Sequence, residues 1–198
     1  MSTSQPRTYA PRISREESER RIIEATITLL RAGDFNEVSS RKIASLAGVH
    51  APTISRIFGS MTGLFAAVAY ELAQQSLTET SSGAEVVFSQ PELILRSKLV
   101  AWCLANGADP ELFRTSMDSP GGQALLAWQT NVAPASFRAN AALSEIFRFA
   151  FEGFAVLGTT HTFTEEQIAD VLEMTRALRR ALPLLERDLG WDATPGEH

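Results

Sequence analysis

Apolar side chains recur along this chain at helical spacing, and no segment alternates with period two for long enough to argue a strand. The first stripe is Ile22, Ile23, Ile27 and Leu30, which predicts an amphipathic helix. Ser14-x-x-Glu17 has the form of a capping box at its start, and Gly33 closes it. Phe35 and Val38 follow in a short connection, placed to tuck beneath the next elements. Ser39 or Ser40 then caps a short helix in which Ile43, Leu46 and Ala47 form the apolar stripe. Gly48 supplies the permissive backbone that ends it, and Val49 fits as a plug. A second short helix opens near Ala51 with Pro52 in its first turn, where a missing N–H costs nothing. It turns Ile54, Ile57 and Phe58 inward and leaves His50, Thr53, Ser55 and Arg56 toward solvent. Gly59 ends it. Ser60 caps a longer helix to about Thr80, with Leu64, Phe65, Val68 and Leu72 on one side and Ser81-Ser82-Gly83 as its stop.

Beyond residue 84 proline supplies the punctuation. Gln90-Pro91, Asp109-Pro110 and Ser119-Pro120 each read as a cap followed by a first-turn proline, predicting helices over 90–106, 109–117 and 120–132. Pro134 starts or kinks the next helix, which continues to Gly158. Leu143, Ile146, Phe147, Ala150, Phe151, Phe154 and Leu157 keep helical spacing along it. Thr164-x-x-Gln167 is a second capping box, and Ile168, Val171, Leu172, Thr175, Leu178, Leu182 and Leu185 share one face of the last helix. Glu165, Glu166 and Asp170 near its start and Arg176, Arg179 and Arg180 later match the helix dipole. Two long amphipathic helices joined by a few residues pack antiparallel.

Helix, glycine turn, helix over 39–59 is a helix-turn-helix reading, in which the second helix enters a DNA major groove. The order of particular residues makes it more specific. Ile43-Ala44, Ala47-Gly48-Val49, Thr53-Ile54, Phe58 and Leu64, preceded by Ile22-Ile23, Ala25, Gly33 and Phe35, resemble the DNA-binding signature of the TetR family. The resemblance runs from Ser14 to Leu64, about a quarter of the chain. It implies an all-α protein of about nine helices: a helix-turn-helix domain over 14–59 and a helical ligand-binding and dimerisation body over 60–189. Residues 1–13 and 190–198 read as tails. It implies a fourth helix that transmits ligand state, and a final helix pair that meets its twin in a four-helix interface. A two-fold dimer presents two reading helices to a palindromic operator.

Charge and composition adjust this picture slightly. The net charge of −5 divides unevenly: residues 1–64 hold nine Lys/Arg and six acids, giving +3, and residues 65–198 hold nine against seventeen, giving −8. A basic amino-terminal module on an acidic body suits a small DNA reader. The longest apolar runs are too short to span a bilayer, so no membrane partner is expected. The first twenty residues lack the apolar stretch of a signal peptide, and the single cysteine, Cys103, suits a reducing compartment; a cytoplasmic location is expected.

The candidate DNA contacts are Ser39, Arg41, His50, Ala51, Thr53, Ser55 and Arg56. A guanidinium grips guanine or phosphate through two bonds, which puts Arg56 first. Ser39 sits where a hydroxyl and a helix start hold a phosphate together. Two positions depart from the family pattern: Ser55 replaces a usual Tyr and Met61 a usual Lys, both of which touch phosphates. The candidate ligand contacts are Trp102, Cys103, Phe113, Met117, Trp128, Phe147 and Phe151, because aromatic and Met side chains give apolar contact area. Taken singly, each of them reads first as ordinary core packing. Few charges interrupt this region, which favours an apolar or aromatic effector. The candidate dimer contacts are Phe147, Phe151, Phe154, Ile168, Val171, Leu172, Thr175, Leu178 and Leu182.

Enzyme chemistry finds no support in the sequence. His50, His161 and His198 are scattered and form no metal pair at helical or hairpin spacing. There is no phosphate-binding glycine loop and no nucleophile elbow, and no cofactor or metal is expected. The reading is a ligand-responsive DNA-binding regulator, most naturally a repressor. The alternative is a dimeric helical small-molecule-binding protein of the same fold that has lost operator binding.

Overall fold

A computed structural model describes residues 13–79, 90–114, 133–158 and 164–191. Among them every regular element is helical: seven α-helices and two short 3-10 turns. The expected helix over 120–132, the stop at 81–83, Met117 and Trp128 lie outside the described residues. The chain divides into two compact units, Met1–Val68 and Ala69–His198, with the division inside the helix Met61–Glu79.

In the first unit, α1 spans Arg15–Ala32. Ser14 caps it, its hydroxyl accepting from the Glu17 amide at 3.0 Å. The reciprocal half of the expected box does not form, because the Glu17 carboxylate accepts instead from Arg20 and Arg21. Ile22, Ile27 and Leu30 are buried with Ala25 and Thr26, while Ile23 is only half-buried. After a 3-10 turn at Phe35–Glu37 come α2, Ser40–Ala47, and α3, Pro52–Phe58, both packed against α1. Ser39 caps α2 by accepting from the Lys42 amide. Gly48, in the left-handed region at φ 66°, ends α2, and its amide donates to the Ala44 carbonyl. This reverses the chain with room for α3 to start at once.

The inward face of α2 differs from the expected one. Ile43 and Ala47 are buried, but Leu46 is 53% exposed and Ala44 takes the inward position. On an eight-residue helix, i and i+1 flank the buried edge as readily as i and i+3, and small Ala44 fits closest to α1. In α3, Ile54 is buried and Ile57 and Phe58 are half-buried.

The helix α4 spans Met61–Glu79, opened by Ser60, whose hydroxyl accepts from the Gly63 amide at 2.9 Å. Leu64, Phe65, Val68 and Leu72 are buried on one side, as their spacing predicts. Gly63 passes against the Phe58 carbonyl, where any Cβ would collide with the oxygen.

In the second unit, α5 spans Pro91–Ala105, with Gln90 as its cap residue and Pro91 in its first turn. The Gln90 amide nitrogen reaches back to the Ser76 carbonyl at 3.4 Å. Asp109-Pro110 opens only a 3-10 turn, Pro110–Phe113, after which Arg114 is extended. The predicted helix over 109–117 is therefore not formed in its described part. The helix α6 spans Phe137–Leu157 and starts later than Pro134 suggested, with Ser136 as its cap accepting from the Ala139 amide. The helix α7 spans Glu165–Asp188 and opens on a complete capping box: the Thr164 hydroxyl accepts from the Gln167 amide, and the Gln167 side chain accepts from the Thr164 amide.

Helix α6 packs against α5 on one side and α7 on the other. It runs antiparallel to α7. Ala139, Leu143 and Phe147 near its start form a cluster with Leu178 and Leu182 late in α7. Both carboxylate oxygens of Glu186 accept from the Ser136 amide at 3.1 Å, and the Arg138 guanidinium stacks 4.2 Å above the Trp191 ring. Asn140, fully buried, clasps the entry to α6: its amide nitrogen donates to the carbonyls of Ala133, Ala135 and Ser136, and its oxygen accepts from the Ala133 amide.

Candidate nucleic-acid interface

The candidate reading surface is assembled by one cap, one glycine and one proline. Ser39 fixes where α2 begins, Gly48 turns the chain, and Pro52 pre-sets the first turn of α3. Buried Ile54 then locks the rotation of α3, because a helix that must hide one face presents the opposite face outward. That outward face carries Ser55 and Arg56, with exposed Pro52 at the helix start and exposed His50 just before it. Thr53 and Ala51 are half-buried beside them, so Thr53 offers less of its side chain than its spacing suggested. The structure brings five of the seven candidate positions to the turn and the second helix, and Ser39 to the start of α2 with Arg41 exposed beside it.

Charge on this surface is sparse and unevenly available. Arg41 and Arg56 are exposed and, among the described residues, neither is held in an ion pair. Lys42 is engaged by Glu37 at 3.2 Å. Arg20 and Arg21 on α1 are likewise engaged by Glu17 and Glu24. Free guanidinium groups are what a phosphate or a guanine edge requires. At the two positions that depart from the family pattern, Ser55 is exposed and Met61 half-buried.

Residues 22–68 match the family model of bacterial regulatory proteins of the tetR family. This segment is a TetR-type DNA-binding domain. The matched segment begins in α1 and ends in α4, so it takes in the whole helix-turn-helix and the helices that hold it. A search of curated proteins finds no match to the chain.

Outside the TetR-type module, the candidate ligand residues fall on two packed helices and one turn. Trp102 is half-buried and Cys103 fully buried on α5; Phe147 and Phe151 are buried on α6; Phe113 is half-buried on the second 3-10 turn. Phe147 faces α7, with Arg179 over its ring at 5.6 Å, and so belongs to the α6–α7 core. Burial pushes the Cys103 thiol up to about 11, which makes it an inert apolar filler. Among the described residues no three His, Cys, Asp or Glu side chains converge on a metal site. No described helix is long and apolar enough to cross a membrane.

The candidate dimer residues separate by burial. Phe147, Phe151, Thr175 and Leu182 are buried within the chain itself, and Phe154, Leu172 and Leu178 are half-buried. Ile168 and Val171 are exposed. The same two helices expose further large apolar residues that spacing alone did not select: Phe149 at 64% and Met174 at 62%, with Leu184 and Leu189 later in the chain. The stripe on α7 is thus shared. Its carboxy-terminal half meets α6, and its amino-terminal half, Ile168, Val171 and Met174, is uncovered.

Sequence reasoning also passed over Arg96. Its signal was present: one arginine whose helical neighbours at i−3, i+3 and i+4 are Leu93, Leu99 and Val100.

Proposed function

We propose that this chain is a TetR-type regulator, a homodimeric repressor that a small effector releases from a palindromic operator. The observation that carries the reading is the free Arg56 guanidinium on the outward face of α3, inside the segment that matches the family. Arg56 and Arg41 supply the charge, His50, Ala51, Thr53 and Ser55 the contacts at base edges and phosphates, and Ser39 a phosphate clamp. The uncovered apolar residues of α6 and α7, Phe149, Ile168, Val171 and Met174, join two copies, which sets two α3 helices one turn of DNA apart. The effector binds in the body, among α5 and α6, and favours a dimer whose reading helices no longer match successive grooves. A coupling of about 1–3 kcal/mol shifts occupancy 5- to 150-fold.

Selection of bound sequences from random duplex DNA tests the reading directly. A palindrome is expected, and Arg56→Ala is expected to abolish the gel shift on it at moderate salt. Enrichment of nothing favours the second reading, a small-molecule-binding protein of the same fold. Ser55 and Met61 are the observation behind that reading, because each removes a phosphate contact and flattens the salt dependence by about one unit of slope.

A further inference from the structure

The seam between α5 and α6 holds two polar groups that the chain's own contacts leave unused. Arg96 lies on α5 between buried Leu95 and buried Leu99, and among the described residues it makes no hydrogen bond and no ion pair. Loss of water holds its guanidinium below the ordinary arginine range; Glu152 acts against that shift and Arg148 adds to it. Both of those residues are on α6, so Arg96 sits at the face where the two helices pack. Glu152 does not neutralise it, since that carboxylate is bonded to Arg148 at 3.2 Å.

Ser144 is the second group. It lies one turn before Arg148 on the same face of α6, is 1% exposed, and its hydroxyl has no hydrogen-bond partner. A buried helical hydroxyl ordinarily bonds back to the carbonyl four residues earlier, as Thr26 and Thr175 do in this chain. An unpaired buried hydroxyl opposes folding, and so does a half-buried guanidinium that no carboxylate bonds directly. The same two helices also carry buried apolar side chains: Leu99 and Cys103 on α5, Phe151 and Ala155 on α6.

Resting on the reading of the body as an effector module, we propose that this seam binds a small apolar acid. Its carboxylate takes the Arg96 fork and the Ser144 hydroxyl, and its hydrocarbon lies along Leu99 and Phe151. A guanidinium matches the two oxygens of a carboxylate in one plane, which an ammonium does not. The apolar flanks select against a phosphorylated sugar or a nucleotide, whose hydroxyls find no partners there. The sequence favoured an apolar or aromatic effector over a highly charged one; Arg96 and Ser144 add one negative charge to it.

The test uses the full chain and matched probes: naphthoate and decanoate, their neutral counterparts naphthalenemethanol and decanol, and inorganic phosphate alone. Binding is read by isothermal titration and by the melting temperature. The acids are expected to bind and raise the melting temperature, and the neutral compounds and phosphate to do neither. Arg96→Gln is expected to weaken the acids about tenfold or more, while melting no lower than the wild type without them. Arg96→Lys, which keeps the charge and loses the fork, is expected to fall between the two and serves if the Gln variant does not fold. Neutral probes binding as tightly as the acids, binding of phosphate alone, acid binding indifferent to Arg96, or no binding of any probe overturns the proposal. Acids that bind through Arg96 but leave the operator complex intact support the seam and count against the release mechanism.

Discussion

The two units of this chain bury their apolar stripes in different ways. In the amino-terminal unit the stripes close on one another: Ile22, Ile27, Leu30, Ile43 and Ile54 are all buried within the chain, and Leu46 is the large aliphatic side chain left out on α2. In the last two helices, buried Leu143, Phe147 and Leu182 coexist with exposed Ile146, Phe149, Val171 and Met174. A patch of that kind on a single chain marks a surface that something else covers. The first unit closes on its own contacts; the second leaves apolar side chains for the proposed second copy to cover.

The strongest way to break this comparison is to charge the uncovered face. Phe149→Glu combined with Met174→Glu is expected to convert the dimer to a monomer at micromolar concentration, read by sedimentation equilibrium. The helical content by circular dichroism should stay, because neither side chain belongs to the chain's own core. A variant that remains dimeric would move the interface elsewhere and leave these residues unexplained.

The next test compares burial at equal chemistry. Ile43→Ala removes a fully buried side chain from the amino-terminal unit and is expected to cost about 2–5 kcal/mol in chemical denaturation. Ile146→Ala removes the same atoms from a 60% exposed site, and in the monomeric background should stay within about 0.5 kcal/mol. Equal costs would show that the exposed stripe on α6 is covered within the chain.

These two sites also show how much the sequence could say. Ile43 was legible because a two-helix unit around a glycine turn offers one solution: the caps at Ser14 and Ser39 and the turn at Gly48 fix phase locally. Leu46 was misplaced because an eight-residue helix is too short for periodicity to resolve its edge. In the long helices spacing gave the stripe, but spacing gives a face without saying what covers it. Phe147 and Phe149 lie two residues apart; one is core and the other is surface. Caps read well in both units, from Ser14 to Thr164, because a cap is a contact over three residues. The 3-10 turn after Asp109 and the clasp of Asn140 depend on distant packing and carry no local signature.

Asn140 gives a smaller and more specific effect. Its four hydrogen bonds hold residues 133–136 to the start of α6, and Asn140→Ala strands those groups away from water. The expected cost is about 1–3 kcal/mol, with amide exchange rising first over residues 133–140. A cost confined to a few tenths would mean that water replaces the side chain and that the clasp adds little to the body.

The smallest effect comes from a pattern the two units share, an arginine set between two carboxylates on a helix. On α1, Arg20 bridges Glu17 and Glu24; on α6, Arg148 bridges Glu145 and Glu152. The hydrogen bonds from Arg21 and then Arg20 hold the Glu17 carboxyl below its ordinary value of 4.5. A depressed folded value means that the stabilisation is present above pH 4.5 and is lost as the pH falls through the folded value. The wild type and Glu17→Gln should therefore differ slightly in melting temperature at neutral pH and converge in acid. The gap should also shrink with salt, because these side chains stand in water and exposed pairs contribute little. On α6 the bridging arginine is less exposed than on α1, 39% against 56%, and hydrogen bonding to Glu145 raises the Arg148 value despite desolvation. Glu145→Gln should then leave a gap that salt closes less completely, because the cation it frees is the more enclosed of the two. If both gaps respond alike to salt, the enclosure of Arg148 does not shield its ion pairs.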